Sequence, residues 1–143
     1  MENPLGPDGS GHGSRLVVRL VGVSAFDDLD GIGPRRIWDG VAVRSVHGER
    51  TTLGVVELDP ESHVPEHAHE NEQLGMVLQG EVEFRVGDEK LRLGPGGTWC
   101  IPANVPHEVR AGPDGAVVID VFAPGRDDWQ ALQQSRPQPP RWP

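Results

Sequence analysis

Short runs of apolar and β-branched residues, separated by glycine, proline and asparagine, recur along this chain. Runs of this kind are typical of β-strands, because branched side chains fit a pleated surface and turn residues end it. Eight strands at this spacing indicate an all-β sandwich or barrel. The predicted strands are 16–21, 36–46, 51–58, 73–79, 81–86, 90–93, 98–101 and 116–122.

Segment 81–86 shows the strand pattern most clearly, since its even-numbered residues are apolar and its odd-numbered residues are charged. A period of two places the apolar side chains on one face of a strand. The pairs Gly80-Glu81 and Gly87-Asp88 predict tight turns, so 73–93 is expected to form an antiparallel meander. The single predicted helix covers 127–134, where two aspartates form an acidic first turn.

A length of 143 residues fits one domain. Residues 1–14 carry too little apolar surface to fold and are expected to form a flexible leader before a domain at 15–135. The tail 136–143 contains four prolines and is expected to be extended, with Trp142 docking on this subunit or on a neighbouring one. A homodimer is expected, because such a tail offers an arm to a partner.

Net charge and cysteine content exclude several classes of partner. Acidic residues outnumber basic ones by 22 to 13, giving a net charge of −9, which is unsuited to a phosphate backbone, so no nucleic-acid partner is expected. The sequence contains no apolar run of membrane-spanning length, so no membrane partner is expected either. The single cysteine, Cys100, cannot form an internal disulfide, which fits a cytoplasmic protein.

Histidines supply the main chemical signal. His67 and His69 are two residues apart, so in an extended chain their side chains point to the same face. Gln73 shares that parity, whereas Glu72 has the opposite one and would face inward only if a β-bulge intervened. His107 follows a bend rich in proline and can reach the same place from a neighbouring strand. The predicted metal ligands are therefore His67, His69, Gln73 and His107.

Imidazole nitrogens suit several transition metals, and a neutral amide oxygen removes no charge from the ion. One divalent ion per chain is expected, with Zn(II) favoured and Fe(II), Ni(II) or Co(II) as alternatives. Such an ion would act as a strong Lewis acid.

The spacing of His67, His69, Gln73 and Gly80 resembles the first sequence motif of the cupin superfamily, in which a glutamate usually stands where this chain has Gln73. The residues Gly96, Pro102, Asn104 and His107 resemble the second cupin motif, in which a glycine usually stands where this chain has Asn104. The resemblance extends over about 40–125 and implies a double-stranded β-helix, or jelly-roll barrel, with a metal inside. It completes the expected fold: an all-β cupin domain with a short C-terminal helix and an extended tail.

Segment 120–129 and the overall length are similar to the metal-containing aromatic-polyketide cyclases of the resistomycin type. That resemblance implies aldol-type cyclisation and aromatisation of a poly-β-ketone, with a polyketide as substrate and a polyketide synthase complex as a further partner. Two alternatives stay open: an Fe(II) cupin dioxygenase acting on a phenolic or enolisable substrate, and a non-catalytic, metal-stabilised binding module.

His63 has the parity of His67, but Pro65 lies between them and interrupts regular pairing. His63 is therefore a candidate metal ligand, a candidate general base, or neither, since its usual pKa suits proton transfer near neutral pH. The catalytic set is accordingly His63 with the four predicted ligands. Large apolar side chains either line a substrate pocket or form ordinary core; these are Trp38, Met76, Phe84, Trp99 and Phe122.

Overall fold

The structure is a computed structural model that describes residues 24–143. The predicted leader 1–14 and strand 16–21 lie outside the described residues. Within residues 24–143, a short 3-10 turn, Leu29–Gly31, precedes eight strands and one short helix. The strands are β1 (Arg35–Trp38), β2 (Val41–His47), β3 (Thr52–Leu58), β4 (His63–His67), β5 (Glu72–Val86), β6 (Glu89–Leu93), β7 (Thr98–Ile101) and β8 (His107–Ala123), followed by α1 (Asp127–Gln130).

All strand pairs are antiparallel, and two long strands organise the fold. The main path of the sheet runs β1-β2-β3-β8-β5-β6, while β4 pairs with β8 and β7 pairs with β5. The two halves of β8 have different partners, β4 near His107 and β3 near Phe122. The sheet therefore curls around one core, as the predicted all-β jelly roll with a short C-terminal helix requires.

Several boundaries differ from those predicted. The run 36–46 is split into β1 and β2 at Gly40, whose φ of 74° lies in the left-handed region. The predicted turn at Gly80-Glu81 is wrong, because β5 continues through it. A register shift between Val77 and Gln79 and another between Gly80 and Val82 mark bulges that bend β5 without ending it. The predicted turn at Gly87 is confirmed as the β5–β6 connection.

The sequence pattern missed one strand and most of another. β4 consists of His63-Val64-Pro65-Glu66-His67, which lacks the alternation of a strand. β8 begins at His107, nine residues before the predicted 116, and includes a Gly-Pro-Asp-Gly stretch that is typical of a turn. Helix α1 ends at Gln130 rather than at 134, because Gln134 instead forms a bridge with Arg35 of β1.

The tail 136–143 lies against the strands of its own chain. Arg44 of β2 and Glu57 of β3 form a buried ion pair at 2.8 Å, and the backbone N–H of Arg141 donates to the same carboxylate oxygen at 2.7 Å. Arg44 also donates to the carbonyl of Gln138 at 3.1 Å. The ion pair thus fixes the tail on β2 and β3, while the expected homodimer stays a prediction. No helix of the described residues is long and apolar enough to cross a membrane.

Candidate metal centre

Three histidine side chains meet inside the barrel. His67 is the last residue of β4 and pairs with His107, the first residue of β8. His69 lies in the loop between β4 and β5, whose position is fixed by a hydrogen bond from the Asn104 N–H to the His69 carbonyl at 2.8 Å. One ring nitrogen of each histidine lies within 4.8 Å of the others. The predicted convergence of these three histidines is confirmed.

Each of the three rings is oriented by a backbone carbonyl. Nδ1 of His67 lies 2.8 Å from the carbonyl oxygen of Pro65. Nδ1 of His69 lies 2.9 Å from that of Asn71, and Nδ1 of His107 lies 2.8 Å from that of Val105. A carbonyl oxygen only accepts, so each neutral ring carries its proton on Nδ1 and presents the Nε2 lone pair to the cluster.

His107 provides the clearest sign that a cation belongs in this cluster. Its side chain is buried, and Nε2 has no hydrogen-bond partner among the described residues. Burial lowers the pKa of His107 to about 4, so the ring is neutral near pH 7. A buried acceptor without a partner is unfavourable, and a metal ion would satisfy this lone pair.

Gln73 approaches the same cluster from β5. Its side chain is buried, and Oε1 lies 3.2 Å from Nε2 of His69. Burial also lowers the pKa of His69, which favours the neutral ring. With its proton on Nδ1, that ring presents a lone pair to Gln73 Oε1, and a cation between the two acceptors would stabilise the contact. Glu72 is exposed, as its opposite parity predicts. The structure therefore places Gln73, and not Glu72, where a fourth ligand would be.

Asp120 holds the amide of Gln73 in this orientation. Asp120 Oδ1 accepts hydrogen bonds from Gln73 Nε2 at 3.0 Å and from Trp99 Nε1 at 2.8 Å. Burial raises the pKa of this carboxyl to about 6, although both hydrogen bonds oppose the shift. A Cβ at Gly75 would overlap Trp99 Nε1 and Asp120 Oδ1, so this contact requires glycine there. Sequence reasoning missed Asp120, although a lone charge within strand 116–122 was an available signal.

Arg126 is a second residue that the sequence analysis missed. Its guanidinium lies 4.9 Å from the ring centre of Phe122 and 4.5 Å from that of Trp129. Nε and Nη2 donate to the carboxylate of Asp128 at 3.0 and 2.9 Å. After burial itself, the positive charge of Arg126 is the next cause that lowers the pKa of His69. A single arginine after a strand carries no recognisable pattern, so only the fold identifies it.

The histidines open into an apolar cavity of about 390 Å³. Three of the predicted pocket residues, Trp38, Phe84 and Phe122, line it. Met76 does not, because it is three residues from Gln73 on the same strand and faces outward. Trp99 does not line it either; the centre of its ring lies 4.7 Å from the ring centre of Phe84, which does line the cavity. The cavity is lined by Ile37, Trp38, Val41, Val56, Leu58, Val64, His67, His69, Gln73, Phe84, His107, Val109, Val118, Asp120, Phe122, Arg126, Asp128, Trp129 and Leu132.

The structure does not bring His63 to this cluster. The β4–β8 pairing skips one residue between Val64 and His67, which marks a bulge next to Pro65. The bulge changes the parity, so that Val64 and His67 both line the cavity and His63 faces away from it. His63 Nε2 lies 3.0 Å from a carboxylate oxygen of Glu108, in a separate cleft lined by charged side chains.

The donor set fits a divalent transition metal. Three neutral imidazoles and one amide oxygen suit Zn(II), Fe(II), Ni(II) or Co(II) better than Mg(II) or Ca(II), which prefer several oxygens. The candidate ligands are His67 Nε2, His69 Nε2, His107 Nε2 and Gln73 Oε1. None of them carries a negative charge, so a bound ion would keep its full double charge.

A cupin-domain family model matches residues 54–122, the part of the chain that contains all four candidate ligands. KdgF from Halomonas sp. superimposes with a TM-score of 0.69 at 29% identity over 74% of this chain and 98% of that protein. The protein TT1209 from Thermus thermophilus gives a TM-score of 0.61 at 30% identity over 71% of this chain and 99% of that protein. Residues 54–122 therefore form a cupin domain, and the described chain has the cupin fold.

An enzyme is also among the similar proteins. An H2HPP isomerase from Bacillus subtilis is 33% identical over 79 residues, which is 54% of this chain and 33% of the relative. The chain thus spans about one third of the length of that relative. Proteins similar to this chain therefore include an enzyme.

Removing one imidazole tests the metal centre. The wild-type protein is expected to hold about one divalent ion per chain after dialysis, and His107→Ala to lose most of it, because the variant lacks the buried Nε2. His63→Ala is the matched control and should retain the full content, since His63 faces the other side. Metal is measured by plasma mass spectrometry. Full occupancy in His107→Ala would contradict the assignment.

A second test follows from the raised pKa of Asp120. The carboxyl of Asp120 binds its proton more tightly in the folded protein than in the unfolded chain. The charged carboxylate therefore destabilises the fold at pH 7, and this destabilisation decreases as the pH falls through about 6. In metal-free protein, Asp120→Asn should therefore gain more stability relative to wild type at pH 7.5 than at pH 4.5. Urea unfolding at both pH values measures this, with exposed Asp39→Asn as control. An equal effect at both would refute the shift.

Proposed function

We propose that this protein is a metal-dependent enzyme that moves protons next to a carbonyl group, and that its reaction is the cyclisation of a poly-β-ketone. One observation carries the proposal: the Nε2 atoms of three histidines, whose rings are oriented by backbone carbonyls at Nδ1, converge with Gln73 Oε1 in an apolar cavity. The same cavity contains the carboxyl of Asp120. When bound there, a divalent ion supplies a Lewis acid that polarises a carbonyl oxygen.

Asp120 is the proton carrier in this proposal. Both of its hydrogen-bond donors contact Oδ1, and no described residue donates to Oδ2. Asp120 lines the cavity, and in this proposal its Oδ2 is the atom that meets the substrate. In the proposed reaction, Oδ2 accepts a proton from the carbon between two carbonyl groups. That carbon then bonds to the carbon of a second carbonyl group. Asp120 returns the proton to the oxygen of this second carbonyl, and loss of water gives the aromatic ring.

The cavity walls support a substrate that is apolar and must be held bent. Ring formation needs the attacking carbon and the distant carbonyl to be held together, and a fixed geometry can contribute several orders of magnitude in rate. Valines on β2, β3, β4 and β8 and the rings of Phe84 and Phe122 supply rigid walls. They also keep water from the carbanion, which would otherwise take a proton from solvent.

Isomerisation is the second candidate, and the similarity to an isomerase favours it. Asp120 would then remove a proton from one carbon and return it to another, without a new carbon–carbon bond. The same side chains serve both reactions up to the carbanion. The two candidates therefore differ in the fate of the carbanion.

The products distinguish these reactions. Zinc-loaded protein is incubated without oxygen with a poly-β-ketone released by a minimal polyketide synthase, and the products are analysed by mass spectrometry. Cyclisation with aromatisation is expected to remove one water per ring and to require the metal. An unchanged mass with a shifted double bond would instead establish isomerisation. A parallel incubation contains iron-loaded protein and oxygen. Turnover there alone, with oxygen consumption, would establish a dioxygenase, and no turnover in either incubation would favour a binding module.

The neutral charge of Gln73 gives a sharper test. Gln73→Glu should keep the metal, because a carboxylate is a stronger ligand, but it offsets part of the ionic charge. The stabilisation of negative charge on the substrate should then weaken, and kcat should fall by about 10-fold to 100-fold. Metal content and cyclisation rate are measured together.

Glu72→Gln is the matched control for that variant, because it changes charge at the adjacent, exposed position. Its rate should equal that of wild type. A wild-type rate in metal-replete Gln73→Glu would show that the neutral ligand is unimportant.

A further inference from the structure

The cavity has an apolar mouth, formed by large side chains that both line the cavity and contact solvent. Trp38 and Leu132 both line the cavity, yet 44% and 36% of their surfaces remain exposed. A residue that both lines a cavity and contacts solvent lies at its entrance. Large exposed apolar side chains beside a cavity are typical of surfaces that a ligand covers.

The two side chains at the mouth come from distant parts of the sequence but are tied together. Trp38 ends β1, and its backbone pairs with Val41 of the cavity wall. Leu132 follows α1, and its N–H donates to the carbonyl of Trp129 at 3.0 Å. Arg35, also on β1, donates to the carbonyl oxygens of Gln130 and Leu132. Strand β1 thus provides Trp38 on one side of the mouth and, through Arg35, binds the segment that carries Leu132 on the other side.

Further contacts keep this arrangement in place. The Ser135 N–H donates to the carbonyl of Pro34 at 2.9 Å, and the Gln134 side chain donates to that of Gly33 at 2.9 Å. A Cβ at Gly33 would overlap the Ser135 carbonyl oxygen, so the two segments approach closely. The mouth is therefore largely preformed, and little conformational entropy is lost when a ligand binds.

The polar side chains of the cavity fall into two groups. One is the histidine cluster with Gln73 and Asp120, and the other is the ion pair of Arg126 and Asp128. The charges of that ion pair compensate each other, so apolar contact dominates recognition around Trp38 and Leu132. The cavity thus has a polar end at the histidine cluster and an apolar end at the mouth. A ligand that contacts both ends has a carbonyl group at the histidines and an aromatic ring at the mouth.

We infer that Trp38 and Leu132 are specificity-determining residues, which bind an aromatic ring already present at one end of a poly-β-ketone whose enolisable carbonyl end reaches the histidine cluster. This inference rests on the proposed function, since it assumes that the carbonyl end binds at the metal centre. An indole ring stacks on a planar group, and the leucine side chain packs against its edge.

Two β-diketones test the inference in the full-length, zinc-loaded protein. Pentane-2,4-dione carries only the carbonyl end, and 1-phenylbutane-1,3-dione adds one ring. Calorimetry is expected to show tighter binding of the phenyl compound by wild type. Trp38→Ala and Leu132→Ala should each weaken that binding by about 5-fold to 10-fold, and change binding of pentane-2,4-dione less than about 2-fold. Zinc content and thermal unfolding verify that each variant is intact.

Trp142→Ala and Leu91→Ala are matched controls, because both side chains lie outside the cavity lining. Neither should change the preference for the phenyl compound. Equal losses for both diketones, or none, in Trp38→Ala and Leu132→Ala would overturn this inference alone. If neither diketone binds more tightly to zinc-loaded than to zinc-free wild-type protein, the proposed function fails and the inference fails with it.

Discussion

The hydrogen bonds that three histidine Nδ1–H groups donate to backbone carbonyl oxygens are the interaction on which the site depends. Each carbonyl belongs to a residue two positions from its histidine, Pro65, Asn71 or Val105, so local backbone geometry sets each ring. The same bonds place the proton on Nδ1 and direct the Nε2 lone pairs to one point. A cation would satisfy the unpartnered Nε2 of His107 and the facing acceptors of His69 and Gln73, because the ring protons are already donated to backbone carbonyls.

Charge is distributed unevenly in this protein. The chain as a whole carries −9, yet the candidate ligands are all neutral and the cavity holds one buried carboxyl, Asp120. A site with no negative ligand leaves the full charge of the ion for a substrate oxygen, while the nearby carboxyl can accept a proton. The hydrogen bonds that Asp120 accepts also fix Gln73, so the proposed ligand and the proposed proton carrier are linked through one carboxylate oxygen.

The sequence predicted the parts of this structure that depend on residue type and parity. The all-β fold, the convergence of His67, His69 and His107, and the inward position of Gln73 follow from alternation and motif spacing. Bulges could not be placed from the sequence alone, because they depend on pairing with a distant strand. Pro65 indicated an interruption of pairing but not that the bulge would turn His63 away. The bulges near Gly80 joined two predicted strands. Long-range contacts bring three further residues to the cavity: Asp120, Arg126 and Leu132. The local sequence around Arg126 and Leu132 does not indicate that they line it. The polyketide substrate stays a prediction.

Anomalous diffraction from crystals of zinc-loaded protein, measured on both sides of the zinc absorption edge, would locate the ion. One anomalous peak per chain is expected inside the barrel. It should lie about 2.0–2.2 Å from Nε2 of His67, His69 and His107 and from Oε1 of Gln73. The Nδ1 atoms should still contact their backbone carbonyls. A peak bound through Nδ1, a peak beside His63 and Glu108, or a zinc ion that leaves Gln73 uncoordinated would contradict the account.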